Sequence, residues 1–323
     1  MGEESGPCVP HLNSFLIMYP IIDAHVHLWL KQDTEWDGKK IKGMSNGRCM
    51  FLGEEVQMLP PYILDGRNTA EMLLSNMDYA QVSAAVVTQE FIDGLQNEYL
   101  LDVQRRYPQR LLCCGMPDTL HDGFVAHAER LIEQGFRALK IPAHRLILSD
   151  RRIRLTSDEM MRMFGIMQSK GIILSIDLAE GLEQNAEMEE VIQEFPDLKI
   201  AIGHFANANR PQWQEQMKLG RYKNVMIESG GITWLYNDEY YPYKGAVLAI
   251  KEAIDTIGAD KVMWGSDYPR TIVAITYKMS YDFVVKSDLL TDREKAMFLG
   301  ENAQRFYGFG ELPVLPYIKN MSE

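Results

Sequence analysis

The chain has 323 residues, 46% hydrophobic and 24% charged, which is ample for a large core and excludes general disorder. Its formal net charge of −12 lacks the basic footprint of a nucleic-acid binder and disfavours adhesion to an anionic membrane. Acidic Glu3 and Glu4, Pro20 within the short apolar stretch 15–22, and four cysteines without a CxxC pair predict no signal peptide, no transmembrane helix and a reduced, cytoplasmic protein.

After a leading segment, 1–19, short β-branched runs alternate with longer amphipathic stretches. Strands are predicted near 20–27, 82–88, 110–116, 136–141, 171–177, 199–204, 223–228 and 261–267. Helices are predicted over 69–79, 98–107, 121–133, 157–169, 185–195, 210–219, 243–257 and 291–307, before a tail from 310 to 323. Eight strand-then-helix units imply right-handed crossovers and a parallel sheet, and in about 300 residues they predict a closed (β/α)₈ TIM barrel over 20–309. No glycine-rich fingerprint follows the first strand, which weighs against an open dinucleotide-binding sheet. Between the first strand and the first helix lies a long insertion, about 29–65. It resembles the start of a calcium loop at Asp33, Glu35 and Asp37, but Met44 stands where the closing Glu belongs. Leaving the barrel after the first strand, it is expected to lie over the catalytic face, with Trp29 and Trp36 as apolar walls and Arg48 facing an anionic group.

The most informative segment is Ile21-Ile-Asp23-Ala-His25-Val-His27. Side chains at i and i+2 of a strand share a face, so two imidazoles at a strand end are placed to grip one metal ion. Other predicted strands also end on groups that ligate metals or move protons: Lys140, Asp177, His204, Glu228 and Asp267. Strand ends reach solvent and tolerate polar residues anyway, but a rim made by chance would not be this rich in His, Asp, Glu and Lys.

Asp23-Ala-His25-Val-His27, Gly203-His204-Phe205 and Trp264-Gly-Ser-Asp267-Tyr-Pro269 resemble the strand 1, 6 and 8 signatures of the amidohydrolase superfamily. The nearest branch holds small lactonases and aminocarboxymuconate-semialdehyde-type decarboxylases, and Phe298-Leu-Gly-Glu-Asn302-Ala303 resembles its closing helix. The resemblance implies one divalent ion, zinc first and manganese second, on His25, His27 and Asp267. It implies metal-bound water as nucleophile, with Asp267 as general base and His204 contacting the metal or polarising the substrate carbonyl.

One departure stands out. Many relatives carry a histidine ligand where this chain has Asp177. Asp177 then ligates through oxygen, or His144 supplies the missing imidazole, or the metal is bound weakly or not at all. Lys140 and Arg270 are candidates to hold a substrate carboxylate, while Gln89 and Glu228 are candidates for substrate contact. The aromatic groups Trp234-Leu-Tyr236 and Tyr240-Tyr241-Pro-Tyr243 suit a substrate wall or a contact in a homo-oligomer. A hydrolase of a small cyclic ester or amide, a lactone foremost, is the first expectation. A non-oxidative decarboxylase of an aromatic or unsaturated acid is the second, and a degenerate ligand-binding barrel the third.

Overall fold

The computed structural model describes residues 19–149, 153–319 and 321, so Cys8 and His11 lie outside it. Strand β1, Ile22–His27, opens an eight-stranded parallel sheet. The insertion then contributes β2 to β5, Asp33–Trp36, Lys39–Gly43, Arg48–Phe51 and Glu54–Gln57. The barrel resumes with β6 Ala84–Thr88, β7 Leu111–Gly115, β8 Ala138–Ile141, β9 Ile173–Ile176, β10 Ile200–Ile202, β11 Val225–Glu228 and β12 Val262–Met263. These eight run in sequential order, the neighbour pattern of a TIM barrel.

β12 is only two residues long, shorter than the predicted 261–267, because the chain leaves regular geometry to build the site. Closure onto β1 is made instead by Ala24 N–H to Trp264 O (2.8 Å), Asp267 N–H to His25 O (2.9 Å) and His27 N–H to Tyr268 O (2.7 Å).

Small and branched side chains fill the barrel interior, among them Ile22, Ala24, Val86, Cys114, Ala138, Ile173, Ala201 and Met263, with Phe306 and Phe309 in the same cluster. The larger core lies between strands and helices. There α1, Ala70–Ala80, buries Ala70, Leu73, Met77 and Ala80, the spacing of one helix face. The predicted 291–307 helix is interrupted. A Thr291/Glu294 capping box starts a short helix at Asp292–Ala296, a π turn follows at Met297–Glu301, and the helix resumes at Asn302–Tyr307. Cys49, Cys113 and Cys114 are buried free thiols. Among the described residues no helix is long and apolar enough to cross a membrane.

The insertion, read from the sequence as a loop, is an antiparallel four-stranded meander. Asp37-Gly38 and Leu52-Gly53 all have positive φ, the backbone that tight hairpin turns require.

Candidate metal and catalytic site

The register of β1 against β6 shifts between Asp23 and Val26. The parity that sends Ile22 and Ala24 into the barrel thereby passes to His25 and His27 at its mouth. Asp23 faces the other way, accepting from the Ser266 backbone N–H (2.9 Å) and the Tyr277 hydroxyl (2.6 Å). It thus braces the loop that carries Asp267.

Each histidine is backed by a carboxylate. His25 Nδ1 lies 2.6 Å from Glu228 Oε1, and His27 Nδ1 lies 2.6 Å from Asp93 Oδ2. A carboxylate on Nδ1 fixes the tautomer and leaves Nε2 for another partner. The two Nε2 atoms are 3.0 Å apart, with Asp267 Oδ1 3.8 Å from that of His25 and 3.3 Å from that of His27. Two ring lone pairs cannot face each other so closely unless positive charge lies between them. Without metal, a proton on His27 serves. Burial opposes that charge, but Asp93 and Asp267 outweigh it and raise His27 to about 10. Burial pushes His25 down despite Glu228. Burial alone would raise Asp267, but the hydrogen bond from His27 and the charge of His204 hold it well below the usual carboxylate range. Two imidazoles and a carboxylate converging beside an open cavity are a donor set that fits a divalent ion.

His25, Asp177 and His204 form a second convergent group. Asp177 Oδ1 accepts from Lys140 Nζ at 2.6 Å, with both residues buried. Burial would raise this carboxyl, but the Lys140 ammonium holds it well below the ordinary range. Its other oxygen, Oδ2, is buried, 3.5 Å from His204 Nε2, and without a hydrogen-bond partner. Gly203 is needed here, because a Cβ would lie 2.1 Å from Asp177 Oδ1. His204 Nδ1 donates to Gly230 O (2.9 Å), turning Nε2 toward Asp177. Burial opposes charge on His204, but Asp177 dominates and raises it to about 9.

Above these groups opens a cavity of about 810 Å³, lined by His27, Asp93, His204 and Asp267 at one end. Trp29, His144, Trp234, Tyr240, Tyr241, Tyr243 and Arg270 also line it. His144 belongs to neither convergent donor group; its ring lies 4.0 Å from Glu90.

Five sequence-based expectations need correction. Lys140 does not face the cavity, because its ammonium is spent on Asp177. Glu228 does not reach the cavity for substrate contact; it is buried, bonded to His25 and to the Gly230 N–H (2.6 Å). Gln89 is a strut whose amide joins Asn97, Gln96 and the Cys114 carbonyl. Arg48 lies outside the cavity and pairs with Glu55 on the neighbouring strand (2.6 Å). Trp36 likewise does not line it, but lies under the Arg145 guanidinium, which grips Glu90 through two hydrogen bonds. The reading missed Asp93, whose signal was the Glu90-x-x-Asp93 spacing of a capping box just past a strand.

The amidohydrolase family model matches residues 22–309. The chain belongs to that family. Comparison with curated protein sequences finds no match. Among solved structures, a probable 2-pyrone-4,6-dicarboxylic acid hydrolase of Acinetobacter baumannii with citric acid bound superposes with a TM-score of 0.66 at 18% identity, covering 90% of this chain and 99% of that one. An amidohydrolase of Burkholderia multivorans with bound zinc gives 0.66 at 17%, covering 91% and 100%. 5-Carboxyvanillate decarboxylase of Sphingomonas paucimobilis gives 0.55 at 16%, covering 75% and 84%. At such identities these likenesses establish the fold, and they include both hydrolases and a decarboxylase.

Proposed function

We propose that this amidohydrolase-family protein is a metal-assisted hydrolase of a small cyclic ester or amide, a carboxylate-bearing lactone foremost. The observation that carries the reading is the pair of Nε2 atoms 3.0 Å apart, each ring backed by a carboxylate, with Asp267 beside them. His25, His27 and Asp267 hold the ion, and Asp177 Oδ2 is the further candidate donor. Zinc suits the imidazoles, and manganese is the alternative that the oxygen donors allow. A divalent ion supplies Lewis acidity at this position, acidifying water and polarising a carbonyl oxygen.

The chain's own groups do the rest. Asp267, held ionised, accepts the proton of the attacking water and returns it to the departing ring oxygen as the acyl C–O bond breaks. His204, held cationic, donates from Nε2 to the oxygen that gains charge at the acyl carbon. Arg270, exposed at the cavity wall, receives the substrate carboxylate, and Trp29 forms part of the apolar wall. The citric-acid-bound neighbour supports a carboxylate on the ligand.

A second reading, decarboxylation of an aromatic or unsaturated acid, draws on the same cationic His204 as proton donor to the carbon that loses CO₂, and on the decarboxylase among the neighbours. Zinc-loaded protein is offered a panel of carboxylated lactones in weak buffer with a pH indicator, and a panel of aromatic acids with CO₂ detection. Acid release that disappears in His25→Ala and His27→Ala supports hydrolysis. CO₂ release with no acid release from any lactone replaces it with the second reading.

A further inference from the structure

We propose that Trp234 is the positioning residue that ties the metal centre to the anion-receiving wall of the cavity, through its N–H on one side and its ring face on the other. The inference rests on the metal-site reading above. Trp234 sits on a four-residue helical turn, Ile232–Leu235, directly after β11. Its Nε1–H donates to Asp267 Oδ2 at 2.8 Å. That bond occupies one carboxylate oxygen and leaves Oδ1 toward His25 and His27. The Arg270 guanidinium lies 3.8 Å from the centroid of the same indole. No carboxylate pairs with Arg270 among the described residues, so its hydrogen bonds remain available to an anion at the cavity wall. The His204 ring meets the indole edge-on at 6.1 Å. One side chain therefore touches the candidate base, the candidate oxyanion partner and the candidate anion clamp.

The backbone is shaped to admit this indole. A Cβ on residue 231 would lie 1.6 Å from Trp234 Nε1, and Gly231 has φ +72°, so only glycine fits without displacing the ring. Packing alone would be served by phenylalanine; the N–H matters only because Asp267 receives it. Partners that orient a metal-binding side chain typically change metal affinity or activity by 10–100-fold when removed, and that is the effect expected here (~10–100-fold).

The test separates the two faces of the indole. Zinc affinity is measured by competition with a chromophoric chelator, and the visible absorption of the cobalt(II)-loaded protein reports coordination at the same site. Trp234→Phe keeps a ring for Arg270 but lacks the N–H. Its zinc affinity should fall by about 10–100-fold, and its cobalt bands should move, while its melting temperature stays near wild type. Gly231→Ala should reproduce both changes by displacing the indole. Arg270→Gln should leave zinc affinity and cobalt bands unchanged, and should raise KM for an anionic lactone without lowering kcat to match. Wild-type zinc affinity and an unchanged cobalt spectrum in Trp234→Phe overturn the inference alone. Failure of the wild-type protein to bind zinc overturns the metal-site reading and this inference with it.

Discussion

Replacing Lys140 by Met gives the sharpest test of how the barrel interior is held together. Lys140 is fully buried, and among the described residues its ammonium donates to Asp177, itself 1% exposed. Removing one partner of a buried ion pair leaves an uncompensated charge and typically costs about 3–5 kcal/mol. The cost should not be reduced by solvent, since both side chains are almost completely buried. At roughly 2–4 °C per kcal/mol for chains of 150–250 residues, the melting temperature should drop by about 6–20 °C. The pH dependence should differ as well. In the wild type burial would raise the Asp177 carboxyl, but Lys140 holds it well below the ordinary range. A depressed carboxyl contributes stability that is present above its unfolded pKa, near ~3.9, and is lost as pH falls through the folded value. Without Lys140, burial is opposed only by the weaker pull of His204 and His25, so the carboxyl rises, and above its unfolded value its contribution becomes a penalty that grows with pH. The stability gap between the two proteins should therefore narrow from pH 7 to 5. Calorimetry of chelator-treated protein across that range measures it. The double variant Lys140→Met/Asp177→Asn should recover part of the loss. A Lys140→Met protein that melts like wild type, a gap that widens toward pH 5, or a double variant whose losses merely add would refute the reasoning.

Further outcomes follow from the same geometry. Protein purified without chelator should carry about one equivalent of zinc, as a single mononuclear centre requires. Because His27 holds a proton up to about 10 without metal, zinc uptake by apoprotein at pH 8 should release about one proton, measured with an indicator dye; proton-neutral uptake removes His27 from the ligand set. Asp267→Asn should lower kcat by about 10²–10⁴ with little change in KM, because an amide accepts no proton at neutral pH; a near-normal kcat assigns the proton transfer to another group. Trp29→Ala should raise KM or shift preference across the lactone panel, whereas Arg48→Ala should match wild type because its guanidinium is paired with Glu55 away from the cavity. Equal effects of the two would show that the insertion acts on the site as a whole.

The barrel was legible because alternating apolar runs and amphipathic helices leave few other topologies, and the eight strands in order are what that alternation predicts. The His25-x-His27 spacing also read correctly as a shared face, but for an incomplete reason. Simple alternation would group these histidines with Asp23 and opposite Ala24, and the register shift after Asp23 is what turns them toward the barrel mouth while Asp23 braces the Ser266 loop. A bulge of one residue leaves no mark on composition or periodicity. The same limit governs the charged residues. Lys140, Glu228 and Asp177 occupy strand positions that could open onto a cavity, and the sequence alone cannot tell a buried ion pair from a substrate clamp. What decides is long-range pairing: Lys140 meets Asp177 37 positions away, and Glu228 meets His25 across 203. The insertion failed differently, since its signal was present. Asp37-Gly38 is a strong short-range hairpin cue, and weighing that segment only as a calcium loop hid the meander it nucleates. Asp93 was missed altogether, and Trp234 was read only as a wall or subunit contact, not as a partner of Asp267. Neither lies on a strand end, yet each bonds a candidate ligand, Asp93 to His27 at the end of β1 and Trp234 to Asp267 in the loop after β12. Strand ends and the loop after β12 thus supply the groups that would grip an ion, while the turns that follow other strands supply the partners that aim those groups, and the chemistry of this site depends on both.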